Sequence, residues 1–273
     1  SRTTGLRDLD KETGGLHPGD LVIVGARPGM GKTSLLTTMA VGTYAPCLFC
    51  SAEMSKAQIS DRYIAGEIGV PISTIWQGKY DDNLMEQILE GIAILADQRI
   101  WWMEGRGIST ADNEEVASEL LARGGLKAIF VDYLQILKDE YGRNANERIG
   151  YISRRLKTLA MSLGVPVIVA SQLSRVIERE SKNKRPRLVD LRESGAIEQD
   201  ADVVLLMYRD DYYYTQEEWP GIARGKPYPK GILEINVAKQ RQGQSRQVVK
   251  LVWIASSLRY GNLARPEKEG GTR

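Results

Sequence analysis

The run Ala26-Arg27-Pro28-Gly29-Met30-Gly31-Lys32-Thr33 follows the apolar stretch Leu21-Val22-Ile23-Val24 and precedes a helix-like stretch from Ser34 to Val41. A glycine-rich turn between a strand and a helix is the context of a phosphate-binding loop. Gly29 and Gly31 let backbone N–H groups turn inward as an anion nest, and the following helix directs the positive end of its dipole at a bound phosphate. Lys32 is placed to reach the outer phosphates of a triphosphate, and the Thr33 hydroxyl to meet the magnesium that bridges them. Ala26 stands where the strict pattern has glycine, so a plain Gly-rich turn remains the alternative for the motif taken alone.

Composition narrows the class. The chain has 273 residues, 42% of them hydrophobic and 26% charged, which suits one globular domain with a sizeable core. No apolar run approaches the roughly 18 residues of a membrane span, and the N-terminus lacks the apolar core of a secretory signal, so a cytoplasmic protein is expected. With 37 basic and 35 acidic residues the net charge is +2, which argues against a broadly basic duplex coat and leaves room for a local basic loop. Cys47 and Cys50 have redox-motif spacing, but Cys47-Leu48-Phe49-Cys50 reads as a buried strand, on which residues three apart point to opposite faces. They are expected to be small buried hydrophobes. The single histidine, His17, lies in the turn signal His17-Pro18-Gly19-Asp20, so histidine-dependent catalysis has little to work with.

Apolar runs recur at Leu21–Gly25, Cys47–Cys50, Ala128–Val131, Val167–Ala170 and Val203–Met207. They are continuous rather than alternating, as in parallel strands covered on both faces. Arg99–Met103, with Trp101 and Trp102, reads as a further strand. A helix from Asn146 to Leu163 carries Ile149, Ile152, Leu156, Leu159 and Leu163 on one stripe and stops at Gly164; a second runs from Asn113 to Arg123 with Val116 and Leu120 inward. The pattern predicts an open, mainly parallel α/β sheet flanked by helices.

In such sheets the ligand crevice lies beyond the carboxyl ends of the strands. There stand the phosphate loop, Glu53, Asp132, Gln172 and Arg209. Asp132 ends Ile129-Phe130-Val131 and is the expected magnesium support, its alternative being a turn-forming Asp. Glu53 is the candidate for orienting the attacking water, from a second strand expected beside the first; the alternative is a helix-capping acid. Gln172 is a candidate phosphate sensor or a plain strand-end hydrogen bonder. Downstream, Leu233, Ile235 and Val237 share strand parity with Lys239 and Arg241, and Gln242-Gly243-Gln244 turns the chain toward Val248–Ile254. Cations on such a C-terminal hairpin suit an active site completed across a subunit interface; the alternative is a solvated basic turn.

Taken together these segments resemble the RecA-type motor domain of DnaB-like replicative DNA helicases, from Thr3 to Leu263. The resemblance rests on Thr13-Gly14-Gly15-Leu16, Ala26–Thr33, Ser51-Ala52-Glu53-Met54, Val131-Asp132-Tyr133-Leu134-Gln135, Ala170-Ser171-Gln172-Leu173-Ser174-Arg175, the long block from Asp190 to Asp202, Tyr208-Arg209-Asp210-Asp211-Tyr212-Tyr213 and Ala238-Lys239-Gln240-Arg241. It implies a RecA-like fold that binds ATP and Mg2+. Ala26, Arg27, Pro28, Gly29, Met30, Gly31, Lys32, Thr33 and Ser34 would hold the nucleotide, Thr33 and Asp132 the metal, and Arg209 and Tyr260 would flank the adenine. Glu53 would activate water, Gln172 sense the phosphate, and Lys239 and Arg241 reach into the neighbouring subunit's nucleotide.

The resemblance also implies DNA loops after Gln172 and around Arg192, Glu193 and Gly195. The residues fit: Arg175, Arg179, Lys182, Lys184, Arg185 and Arg187 outnumber Glu178 and Glu180 with little apolar periodicity, although a solvated charge run is the alternative for this stretch alone. Repeated around a ring, such loops would line a channel for backbone-directed binding of single-stranded DNA. Implied with them are a homo-hexamer, 5′→3′ translocation, primase or helicase-loader partners and a bacterial or phage origin. One motor domain is expected over residues 1–264, a polar tail without fixed structure over 265–273, and no N-terminal domain or linker helix. The alternatives are a recombinase-like filament and a nucleotide-gated assembly ATPase that never touches DNA.

Overall fold

The computed structural model describes residues 1–173, 183–191, 195–241, 243 and 247–264. Six parallel strands form its centre: β1 (Leu21–Ala26), β2 (Cys47–Ser51), β3 (Ile100–Glu104), β4 (Ala128–Asp132), β5 (Val167–Gln172) and β6 (Val203–Tyr208). Five are the continuous apolar runs, and β3 is the tryptophan-bearing segment. They are apolar throughout because alternate residues enter two separate cores. Val22 and Val24 pack with Phe49, Phe130, Ile168 and Leu205 beneath α1 (Arg7–Thr13) and α2 (Lys32–Gly42). Leu21 and Ile23 pack with Ile129, Val131, Val169 and Leu206 on the opposite face, under α6 (Thr110–Ala122) and α7 (Ala145–Leu163).

Local signals set the helix ends. Asn144 caps α7 by accepting from the Glu147 N–H, and Gly164 closes it at φ 62°. Helix α6 begins three residues before the stretch expected from periodicity, because Ser109 and Asp112 form a reciprocal capping box. Three helices not read from the sequence, α3 (Lys56–Glu67), α4 (Ile72–Gln77) and α5 (Asp82–Asp97), form a satellite around Tyr63, Ile64, Ile75 and Ile88.

The sheet continues antiparallel through β7 (Ile232–Gln240), β8 (Gln247–Ile254) and β9 (Arg259–Asn262), giving the order β3-β2-β4-β5-β1-β6-β7-β8-β9. Two expectations are corrected here. β2 does not neighbour β1, since β4 and β5 lie between them. Nor does Lys239 share a face with Leu233, Ile235 and Val237: the register shifts from Leu205↔Val237 to Val204↔Lys239, a bulge that inserts Ala238 and moves Lys239 to the other face of the sheet.

Cys47 and Cys50 enter opposite cores and both are free thiols. Burial pushes the Cys47 thiol up to about 12 and raises that of Cys50 as well. A raised thiol pKa contributes stability that is complete below the ordinary thiol value near ~8.5. That contribution is lost as pH rises to about 12. At pH 8 neither cysteine of the folded protein is therefore expected to react with iodoacetamide, whereas both react in denaturant; mass spectrometry of the labelled chain reads the difference. The two phenylalanines, Phe49 and Phe130, are fully buried cross-strand neighbours with centroids 6.0 Å apart. Phe130→Ala is expected to cost about 3–5 kcal/mol in urea unfolding at unchanged m-value.

Candidate nucleotide site

The loop from Ala26 to Thr33 leaves the carboxyl end of β1 with Gly29 at φ 77° and Gly31 at φ 82°. Both glycines are also enforced by neighbours. A Cβ on Gly31 would lie 2.6 Å from the Tyr260 hydroxyl, and one on Gly29 would lie 3.3 Å from the Tyr212 ring. Those tyrosines hold the loop by its carbonyls: Tyr260 donates to Met30 O at 2.6 Å and Tyr212 to Pro28 O at 3.1 Å. The N-terminus of α2 has Gly31 at its cap and no side-chain capping bond, which leaves its first N–H groups to an anion. Ser34 lies in the first turn of α2, buried on the side facing α3.

Lys32 opens α2 and is itself buried; burial lowers its pKa while the Asp132 and Glu53 carboxylates pull it back. Thr33 donates its hydroxyl to Asp132 Oδ2 at 2.6 Å. Burial pushes the Asp132 carboxyl up, the Thr33 bond pulls it down, Glu53 raises it, and Lys32 and Arg62 lower it. Its other oxygen, Oδ1, is buried without a hydrogen-bond partner, the kind of orphan a cation satisfies. Among the described residues no cluster of three or more His, Cys, Asp or Glu could hold a metal by itself. A magnesium ion here would thus draw the rest of its oxygen shell from phosphates and water, as that ion does beside triphosphates.

Glu53 reaches the site although β2 is distant from β1. Asp132 extends β4 next to β2, the Ala52 N–H donates to Asp132 O, and a tight turn held by Ser51 Oγ and Met54 presents Glu53 at the surface. Its charge acts on Lys32, Asp132 and Arg62. The cap of α3 is Ser55 with Gln58, not Glu53. Gln172 ends β5 opposite Ala26, exposed, with its backbone bracketed by Gln135: the Gln135 amide donates to Gln172 O at 3.0 Å and accepts from Gln172 N at 3.1 Å. Neither Arg62 nor Gln135 was assigned from sequence. Arg62 sits on a helix whose apolar spacing gives no clear face, and Gln135 lies in a 3-10 turn (Leu134–Ile136) whose contacts are not local.

Arg209 and Asp211 make a bidentate pair, 3.0 Å at each arm, with the guanidinium 5.2 Å above the Trp253 ring. Tyr260 does not match its sequence assignment: its ring is 2% exposed in the core and its hydroxyl is committed to Met30, so it supports the loop from beneath instead of flanking a base. Lys239 and Arg241 lie at the opposite end of the sheet from the loop, because β7 runs antiparallel to β6. Lys239 donates to the carbonyls of Glu198 and Ala201, and Arg241 to Gln199 O at 2.7 Å and Asp202 Oδ1 at 3.1 Å. They rest on the C-terminal carbonyls of α8 (Gly195–Asp200) instead of projecting from a free tip.

Of the DNA candidates, Arg175, Arg179, Lys182, Arg192 and Glu193 fall outside the described residues, and Gly195 opens α8. Arg185 is corrected from its expected role. Its guanidinium is held by Glu234 at 2.8 Å and Asp210 at 3.1 Å, 4.4 Å above the Tyr208 ring, an arrangement that already neutralises it.

Phosphate loop, buried Asp beside the loop threonine, surface Glu and strand order together define the motor core that the family comparison identifies: the DnaB-like helicase C-terminal domain model matches residues 2–262. The chain belongs to that family. It is 38% identical over 270 residues to the replicative DNA helicase DnaB of Haemophilus influenzae, covering 96% of this chain and 55% of that protein. It is 36% identical to DnaB of Geobacillus stearothermophilus, covering 96% and 56%. The chain thus spans about half the length of these relatives. A separately solved ATPase domain superposes with a TM-score of 0.85 at 30% identity, over 96% of this chain and 90% of that one. A DnaB-like replicative helicase described together with its interactions with primase also gives 0.85 at 30% identity, over 96% of this chain and 61% of its own. The fold is the RecA-like α/β core of this helicase family, and no described helix is long and apolar enough to cross a membrane.

Ligand linkage offers a direct check on the loop. A nucleotide at about 100 times its Kd stabilises the folded state by about 2.7 kcal/mol. ATP with magnesium is expected to raise the melting temperature of the wild-type protein. Lys32→Ala should abolish the shift, and Asp132→Asn should remove its magnesium-dependent part while leaving a smaller response to ATP alone.

Proposed function

We propose that this chain is the ATP-driven motor of a cytoplasmic replicative DNA helicase that works as a homo-hexamer on single-stranded DNA. The observation that carries the reading is the separation of two half-sites. Loop, Thr33, Asp132 and Glu53 stand at the carboxyl ends of the parallel strands, whereas Lys239 and Arg241 stand at the other end of β7. One chain cannot join them; successive subunits in a ring can. Exposed Trp76, Met85, Leu89 and Ile92 around α4 and α5 support assembly, since they leave an apolar surface for another element to cover.

Within such an interface the loop amides and Lys32 would bind the triphosphate, Ala26 through Ser34 forming the cradle. Thr33 and Asp132 would hold magnesium, which when bound neutralises charge on the phosphates. Glu53 would orient a water and take its proton as the water oxygen bonds to the γ-phosphorus and the bond to the ADP oxygen breaks. Gln172, at the strand end, is the candidate to register the outer phosphate, and Arg209 would flank the adenine. Arg241 and Lys239 from the neighbour would stabilise charge in the transition state, a contribution of roughly 10³ to 10⁵ in rate for an arginine supplied in trans. DNA phosphates would be held by Arg175, Arg179, Lys182 and Lys184 and by Arg192, Glu193 and Gly195. Motion of these segments around the ring would drive 5′→3′ translocation, with a primase or helicase loader as partners of the longer protein. Relatives 34–38% identical that carry the name of replicative helicase favour this over a recombinase filament or a DNA-independent assembly ATPase.

Two measurements test it. Single-stranded DNA is expected to stimulate ATP hydrolysis by assembled protein; no stimulation by any strand length would remove DNA from the reading. Arg241→Ala and Lys32→Ala subunits spoil different halves of a shared site, so a mixture is expected to regain part of the ATPase activity that each lacks alone. Recovery absent from mixtures shown by native mass spectrometry to have co-assembled would sink the trans assignment.

A further inference from the structure

Beyond Gln172 the described part of the basic run begins at Asn183, and within it Arg185 is held by its whole guanidinium. Arg185 Nε bonds Glu234 Oε2 at 2.8 Å, Nη2 bonds Asp210 Oδ2 at 3.1 Å, and the guanidinium covers the Tyr208 ring. Asp210 is buried and its second oxygen accepts from the Tyr208 hydroxyl at 2.7 Å, so both oxygens are taken. Asp210 also opens α9 (Asp210–Tyr213), a single turn following β6. Two residues along that turn, Tyr212 donates to Pro28 O and packs on Gly29 of the phosphate loop. Between them Asp211 pairs with Arg209 and accepts from the Gly231 N–H at 2.7 Å, which fixes the turn to the start of β7.

One turn of helix therefore holds the end of the basic run by Asp210 and the phosphate loop by Tyr212. A group meant only for DNA phosphates has no need of two carboxylates and a ring. A group meant only to seal the core would be buried, whereas the Arg185 side chain is 46% exposed. We propose that Arg185 is a positioning residue whose clamp on Asp210 and Glu234 couples the nucleotide-bound state of the phosphate loop to the basic stretch 183–191. This rests on the helicase reading above for the identity of what the segment grips, though the coupling itself is a property of the chain.

The experiment uses Arg185→Ala, Arg185→Lys and the shape-preserving Glu234→Gln. Hydrogen exchange of peptides covering 183–191 is compared with and without a non-hydrolysable ATP analogue plus magnesium, and ATPase is measured with and without single-stranded DNA. In the wild type the analogue is expected to change exchange over 183–191. That response should disappear in Arg185→Ala, weaken in Glu234→Gln and partly return in Arg185→Lys. Basal ATPase and the affinity for single-stranded DNA should stay within about threefold, while stimulation by DNA falls roughly fivefold or more, the lower end of ordinary coupling between sites. An unchanged nucleotide response in Arg185→Ala, or none in the wild type, overturns the clamp. So does a parallel collapse of DNA affinity, which would make Arg185 a DNA contact, or loss of basal ATPase and melting temperature together, which would make it a structural staple. Failure of DNA to stimulate the wild type would count against the helicase reading and leave the exchange result to decide the clamp.

Discussion

The hydrogen bond from Thr33 to Asp132 joins two elements that the sheet keeps apart. β1 and β4 are separated by β5, so the helix that leaves the phosphate loop meets the end of β4 by reaching across β5 on one face of the sheet. That passage places Lys32 among carboxylates, buries Asp132 with one oxygen unsatisfied and sets the distance at which Glu53, carried by β2 on the far side of β4, still acts on Lys32. An isolated buried carboxylate is costly, and here the cost is offset by the Thr33 hydroxyl and by the Lys32 and Arg62 charges. The loop is thereby left in a state that a cation and a polyanion complete.

The parallel half of the fold was legible in the sequence for a physical reason. Strands covered on both faces must be apolar at every position, so Leu21–Val24, Ile129–Val131 and Val167–Ala170 declare themselves without alternation. Gly164 did the same for the end of α7, whereas the Asn144 cap that sets its start was not read from the sequence. What stayed hidden depends on partners remote in sequence. Strand order is one such property: nothing local to Glu53 reveals that β2 pairs with β4 and not β1. The Ala238 bulge is another, since it exists to fit β7 to β6 and turns a parity argument about Lys239 around. Arg185 and Tyr260 were misread for the same reason, because a cation in a basic run and a tyrosine near the C-terminus acquire Asp210, Glu234 and Met30 as partners only on folding.

Several residues with functional sequence signatures are held by intramolecular bonds at this fold's edges. Asp202 is the hub on one side: it accepts from the Leu21 N–H at 2.8 Å, from Lys157 at 2.6 Å and from Arg241 at 3.1 Å. Lys157 and the backbone bond already fasten it, so Arg241, with 49% of its side chain exposed, is the member that can leave at least cost. The Asp202 carboxylate is buried but keeps the Lys157 charge and the Leu21 N–H when Arg241 departs. A denser anion would draw the same guanidinium away, since charge-assisted bonds to phosphate are short and geometrically well matched to its fork.

The two edges of the sheet therefore differ in kind, and the difference follows from strand direction. At the carboxyl edge of the parallel strands, helix N-termini and loop amides gather and the residual field is positive, which suits phosphate. At the opposite edge, helix C-termini gather. The carbonyls that end α8 there hold Lys239 and Arg241 as counter-cations to the negative end of a dipole. A chain that presents an anion-binding edge and a cation-bearing edge is complementary to itself head-to-tail and not by a two-fold, because a two-fold would set like edge against like. On the proposed helicase reading, head-to-tail closure with each nucleotide at a junction would satisfy both edges at once.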